Sequence, residues 1–151
     1  PLFRLGSSQE NTLRIVRTGG NLPDNRESMF WMNIKSIPAS EKQSNANTLQ
    51  IAIKTRIKLI FRPQTLSEQP DQVSDKLAWR RNGQQLVVTN PTPYYMNFSE
   101  VKVGGHTVKD ATYVAPMSDA SFSMPTESNG DVSWKIISDF GAAGSEHRSH
   151  L

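Results

Sequence analysis

The chain holds 151 residues, with 17 Lys+Arg against 14 Asp+Glu for a net charge of +3, and no cysteine. Those figures exclude a disulfide-stapled miniprotein and any metal site built from thiolates, while 36% hydrophobic residues are enough for a packed core. No apolar run approaches the roughly 18 residues that a membrane helix needs, and so weak a basic excess does not by itself point to nucleic acid.

In chain order, the opening Pro1-Leu2-Phe3-Arg4-Leu5 shows no signal-peptide pattern, and the chain is expected to be a mature or N-terminally trimmed product. From there period-two alternation recurs between turn residues, as strands require. Strand runs are predicted at Thr12 to Val16, Met29 to Ile37, Leu49 to Phe61, Gln85 to Thr89, Tyr94 to Val103, Ala120 to Met124 and Val132 to Ile137. Turns are predicted at Gly19-Gly20, Pro38-Ala39-Ser40, Asn82-Gly83, Asn90-Pro91, Gly104-Gly105 and Asn129-Gly130-Asp131. One short helix is expected over Gln69 to Lys76, with Pro70 and Asp71 in its first turn. Arg80 and Arg81, ahead of the Asn82-Gly83 hairpin signal, read as solvated. Gly141 to Leu151 has few large hydrophobes and reads as a mobile tail.

The run from Leu49 to Phe61 is the unusual one. Its odd positions are Leu49, Ile51, Ile53, Thr55, Ile57, Leu59 and Phe61, and its even positions carry Lys54, Arg56 and Lys58. Fully extended it would reach about 43 Å, more than twice an ordinary strand. It stops at Arg62-Pro63, and because proline ends sheet pairing a domain border is placed there. Residues 63–151 then approach the size of an immunoglobulin-like sandwich of about 100 residues. Residues 1–62 show three strand runs, too few for both sheets of such a sandwich. The expected fold is therefore all-β, two immunoglobulin-like β-sandwich domains with the first incomplete.

Chemistry is sparse. No Gly-x-Ser-x-Gly elbow or phosphate-binding glycine loop occurs. The three histidines, His106, His147 and His150, fall in a turn and in the tail. No metal site, no cofactor and no enzymatic activity is expected, since no set of residues fills the roles of a reaction. The row Lys54, Arg56, Lys58 shares one strand face. It is open to three readings: charges that keep a sheet edge from aggregating, an anion site for a carboxylate or peptide, or a nucleic-acid surface, the last weakened by Ile and Leu neighbours where stacking aromatics would be wanted.

A resemblance sharpens this. Leu22-Pro23-Asp24-Asn25-Arg26-Glu27-Ser28-Met29-Phe30-Trp31-Met32-Asn33-Ile34-Lys35-Ser36-Ile37-Pro38-Ala39 resembles the signature of the periplasmic PapD-like pilus-assembly chaperones. Leu49-Gln50-Ile51-Ala52-Ile53, Arg56-Ile57-Lys58-Leu59-Ile60-Phe61-Arg62-Pro63, Asn90-Pro91-Thr92-Pro93-Tyr94-Tyr95 and Ile137-Ser138-Asp139-Phe140-Gly141 resemble it too, most of all the chaperones of type 1 fimbriae. The resemblance implies that Leu49, Ile51 and Ile53 form a donor strand lent to a pilus subunit. It implies that Lys58 anchors the subunit's terminal carboxylate, and that Glu27, Arg62 and Asp139 form an interdomain ion-pair trio. The arginine that partners the anchoring lysine in the family finds no counterpart here. Pilus subunits and an outer-membrane usher are the implied partners and the periplasm the implied compartment, with no nucleic acid and no membrane insertion. The alternative from another class is a structural immunoglobulin-like fimbrial subunit or adhesin.

Overall fold

The computed structural model describes residues 2–38, 49–126 and 128–151. Strand β1 (Ser28–Ser36) pairs antiparallel with β2 (Ile53–Phe61) in a two-stranded sheet, in register from Ser28 opposite Phe61 to Ser36 opposite Ile53. Residues 2–22 form no helix or strand, and Arg17 lies over the Phe61 ring of β2. The strand expected over Thr12 to Val16 does not form: this segment pairs with no strand among the described residues, and Leu13, Ile15 and Val16 stay exposed. The long run also shortens at its start. The partner strand ends at Ser36, ahead of Ile37 and a proline without an N–H, so β2 begins at Ile53 and residues 49–52 pair with no strand among the described residues. The turn expected at Pro38-Ala39-Ser40 lies, beyond Pro38, outside the described residues.

Past Pro63 the chain builds a sandwich. A single α turn, α1 (Pro70–Val73), opens with a capping box between Gln69 and Gln72 and tightens into a 3₁₀ turn at Ser74–Lys76, together spanning the helix expected from the sequence. One sheet holds β3 (Ala78–Asn82), β4 (Gln85–Asn90) and β8 (Ser118–Ser123). The other runs β10 (His147–Ser149), β9 (Val132–Ile136), β5 (Met96–Val103) and β6 (His106–Thr107), with β7 (Tyr113–Val114) also on β5. Alternate side chains of both sheets meet between them. Trp79, Leu86, Val88 and Phe122 face Met96, Phe98, Val101, Val103, Val132, Trp134 and Ile136, all buried. Trp79 lies 5.4 Å from Trp134 and 5.5 Å from Phe98, centroid to centroid, so three large rings fill the centre.

Two features differ from expectation. The residues read as a mobile tail form β10, held where the Ser138–Gly141 turn reverses the chain and where His147 stacks on Trp134 and hydrogen-bonds Ser74 Oγ at 2.7 Å. His147, expected within a mobile tail, is thus held against the sandwich. An edge strand held by one aromatic stack and polar contacts carries no hydrophobic periodicity to announce it. The histidine at 106 begins β6 instead of sitting in the preceding Gly104-Gly105 turn.

Candidate functional site

The local fold around Asn90 brings the site's scaffold into place. Fully buried Asn90 donates from Nδ2 to the carbonyls of Tyr94 and Ala115, and its Oδ1 accepts from the Thr92 amide and hydroxyl. That clamp fixes Pro91 to Pro93 and delivers Tyr94 and Tyr95 to the face that meets the β1–β2 sheet.

Three charged groups join there. Glu27 sits just before β1 with its side chain fully buried. Its Oε1 accepts from Arg62 Nε at 2.7 Å and its Oε2 from the Tyr95 amide at 2.6 Å. Arg62 closes a two-pronged pair with Asp139, Nη1 to Oδ2 at 2.6 Å and Nη2 to Oδ1 at 2.8 Å. Its guanidinium also lies over the Tyr94 ring, 5.4 Å from the centroid. Hydrogen bonds from Arg62 hold the Asp139 carboxyl below the usual aspartate range, and the same contacts push Arg62 further up. The structure thus brings Glu27, Arg62 and Asp139 into one cluster.

Lys58 lies four residues earlier on β2, on the same strand face as Arg62. Its surroundings are different in kind. Its Nζ donates to Asn97 Oδ1 at 2.6 Å and stands 4.4 Å from the centroid of the Tyr113 ring. Both contacts are neutral, and among the described residues no carboxylate lies within ion-pair distance of Lys58. Burial without a counter-ion lowers its pKa from the ordinary lysine value. Arg62 is therefore paired with two carboxylates, whereas Lys58 has no ionic partner among the described residues.

Leu49, Ile51 and Ile53 are 87%, 65% and 61% exposed, so none belongs to this chain's own interior. They precede the half-buried Leu59 and Phe61 on one apolar ribbon, and the β2 edge away from β1 carries no partner strand among the described residues. On the opposite face Arg56 stacks on Trp31 at 4.1 Å, and Lys54 stands across from Lys35. Arg80 reaches Thr89 and Asp119, and Arg81 reaches Asn129, all at the exposed surface.

Sequence reasoning missed Asn97 and Tyr113. Asn97 does carry a signal, since it lies between buried Met96 and Phe98 on the outward face of β5, where a polar residue is free to meet another part of the chain. Tyr113 has none: β7 is two residues long.

Residues 1–67 match the model of the pili and flagellar-assembly chaperone PapD N-terminal domain, and residues 72–148 match the pili assembly chaperone PapD C-terminal domain. The chain belongs to the PapD pilus-assembly chaperone family. Chaperone protein FimC of Escherichia coli strain K12 is 42% identical over 144 residues, covering 94% of this chain and 59% of that protein. Chaperone protein MyfB of Yersinia enterocolitica is 36% identical over 173 residues, covering all of this chain and 65% of its own length. The chain thus spans about three fifths to two thirds of these chaperones. Among solved structures, a chain of the Salmonella enterica SafA pilin–SafB chaperone complex superposes with a TM-score of 0.85 at 39% identity, over 90% of this chain and 65% of that one. The Escherichia coli chaperone DraB superposes at 0.79 and 38% identity, with the same coverage of both chains. The all-β fold of two immunoglobulin-like units, the first incomplete, agrees with these PapD chaperones. So does the absence of an expected reaction, since the relatives bear the names of chaperones.

Proposed function

We propose that the chain acts as a periplasmic chaperone for pilus subunits. It lends the free edge of β2 to a subunit, with Leu49, Ile51 and Ile53 filling the subunit's unfinished core and Lys58 gripping its terminal carboxylate. It thereby holds subunits back from premature assembly and delivers them to an outer-membrane usher, with no cofactor. Glu27, Arg62 and Asp139 serve by fixing the angle between the two domains, whose border is placed at Arg62-Pro63. Strand addition suits this division of labour: main-chain hydrogen bonds supply affinity and alternate side chains supply fit. The named complex of a pilin with a chaperone among the structural neighbours supports the choice of partner.

The observation that carries the reading is the contrast between Lys58 on β2 and Arg62 just past its end. Arg62 is consumed by two carboxylates, whereas Lys58 is desolvated, held by neutral groups only and left beside an exposed apolar ribbon. Such an ammonium gains a charge-assisted bond when a carboxylate arrives. The test takes a peptide from the carboxyl terminus of a pilus subunit and compares its free-carboxylate form with the same peptide amidated. The free form is expected to bind at least roughly tenfold more tightly, the worth of one hydrogen bond to a charged group. Equal binding overturns the anchor.

A further inference from the structure

We infer that Asn97 and Tyr113 are positioning residues for the carboxylate anchor, so that the second domain, and not β2 alone, aims the Lys58 ammonium and keeps it free of a counter-ion. This rests on Lys58 being that anchor. Asn97 on β5 and Tyr113 on β7 are direct cross-strand partners, so one rung of the sheet presents an amide oxygen and a ring face side by side. The ammonium sits in that cradle, 2.6 Å from the oxygen and 4.4 Å from the ring centroid. A lysine side chain is a flexible four-carbon stem, and two contacts of different kinds restrict where its tip can go. An ammonium carries three donors, so binding Asn97 leaves others for an incoming carboxylate. The contact with Lys58 also fixes which half of the amide is oxygen. Asn97 Nδ2 is thereby left beside the anchor, with no acceptor among the described residues, as a second donor to the same carboxylate.

Neutrality of the cradle is its working feature. An aspartate at position 97 would be nearly the same shape, but it would pair with Lys58 internally and repel an arriving carboxylate. Asn97 and Tyr113 both lie only partly buried, outside the sandwich core, so their variants should keep the fold, which a thermal melt would verify.

The experiment measures, for each variant of the chain, the ratio of affinities for the free-carboxylate and amidated forms of one peptide taken from a pilus subunit's carboxyl terminus. Asn97→Asp is expected to lower that ratio roughly tenfold while leaving the amidated peptide's affinity in place. Tyr113→Leu should lower it severalfold, and Tyr113→Phe, which keeps the ring face, should retain it. A residue with a merely structural role would move both peptides together and would not be rescued by phenylalanine. If the unmodified chain shows no preference for the free form, the anchor reading itself falls. If that preference is present and survives both Asn97→Asp and Tyr113→Leu, the anchor stands and the second domain has no part in aiming it.

Discussion

Asp139 gives the residue scale its clearest titration. Its carboxyl is drawn below the ordinary aspartate value by the hydrogen bonds of Arg62. A carboxyl depressed in the folded state stabilises the fold fully above the unfolded value of about 3.9, and that contribution disappears as pH falls through the depressed value. Asp139→Asn should therefore melt below the parent chain at pH 7, with the gap closing as pH falls beneath the ordinary aspartate value of about 3.9. Paired thermal melts across that range check it, and a gap that persists unchanged into strong acid would mean the loss is one of packing. The side chain is over a third exposed, so the neutral-pH gap should be modest. Glu27 differs at the same scale. Its burial is complete, and nothing in the local sequence Asn25-Arg26-Glu27-Ser28 announces a buried acid. The family resemblance alone singled it out.

Elements were legible where one face is buried and silent where it is not. β9 alternates buried and half-buried residues from end to end, and its pattern is plain in Val132-Ser133-Trp134-Lys135-Ile136. β5 is subtler: Met96 and Phe98 are buried at even positions, then Val101 and Val103 at odd ones, because a bulge between Phe98 and Glu100 slips the register. The sequence still reads as one strand, but its faces exchange midway. β10 is silent in the sequence because its hold is an aromatic stack, not a stripe. The long run of alternation reads as a single strand because its apolar parity continues past the point where its partner ends. That surplus makes a separable prediction. Ile51 and Ile53 are mostly exposed, so Ile51→Ser or Ile53→Ser should leave stability within about 0.5 kcal/mol. Each should weaken subunit binding by at least about 1 kcal/mol, the scale of a buried aliphatic side chain lost from an interface. Chemical denaturation and titration with a pilus subunit read the two effects independently, and a substantial stability loss would place these side chains in the chain's own core.

At the scale of the whole molecule, β2 is the link through which the two parts address each other. Its even face sends Lys58 to Asn97 and Tyr113 and passes on to Arg62, which reaches Glu27 and Asp139, while Glu27 also takes the Tyr95 amide. Every one of these contacts crosses between the β1–β2 sheet with its flanking residues and the sandwich or its flanking turn, save the Arg62–Glu27 pair, which joins the residue after β2 to the residue before β1. The identities of the trio could be matched from the sequence, but the neutral partners of Lys58 could not, because a cradle made of an asparagine and a tyrosine exists only once β5 and β7 pair. Removing Arg62 should therefore do two things. Arg62→Ala strands the fully buried Glu27 carboxylate, and leaving a buried charge unpaired costs about 3 kcal/mol or more. It also frees the sheet from the sandwich, so that Lys58 no longer meets Asn97 in a fixed pose and affinity for the free-carboxylate peptide falls, although Arg62 itself makes no contact with Lys58. Glu27→Gln added to Arg62→Ala separates the two consequences. The neutral amide relieves the stranded charge and should restore part of the stability, while the lost domain registration keeps the peptide affinity low. Denaturation and peptide titration on the single and double variants measure both. Full recovery of affinity in the double variant would show that the trio supports the fold without setting the geometry of the anchor.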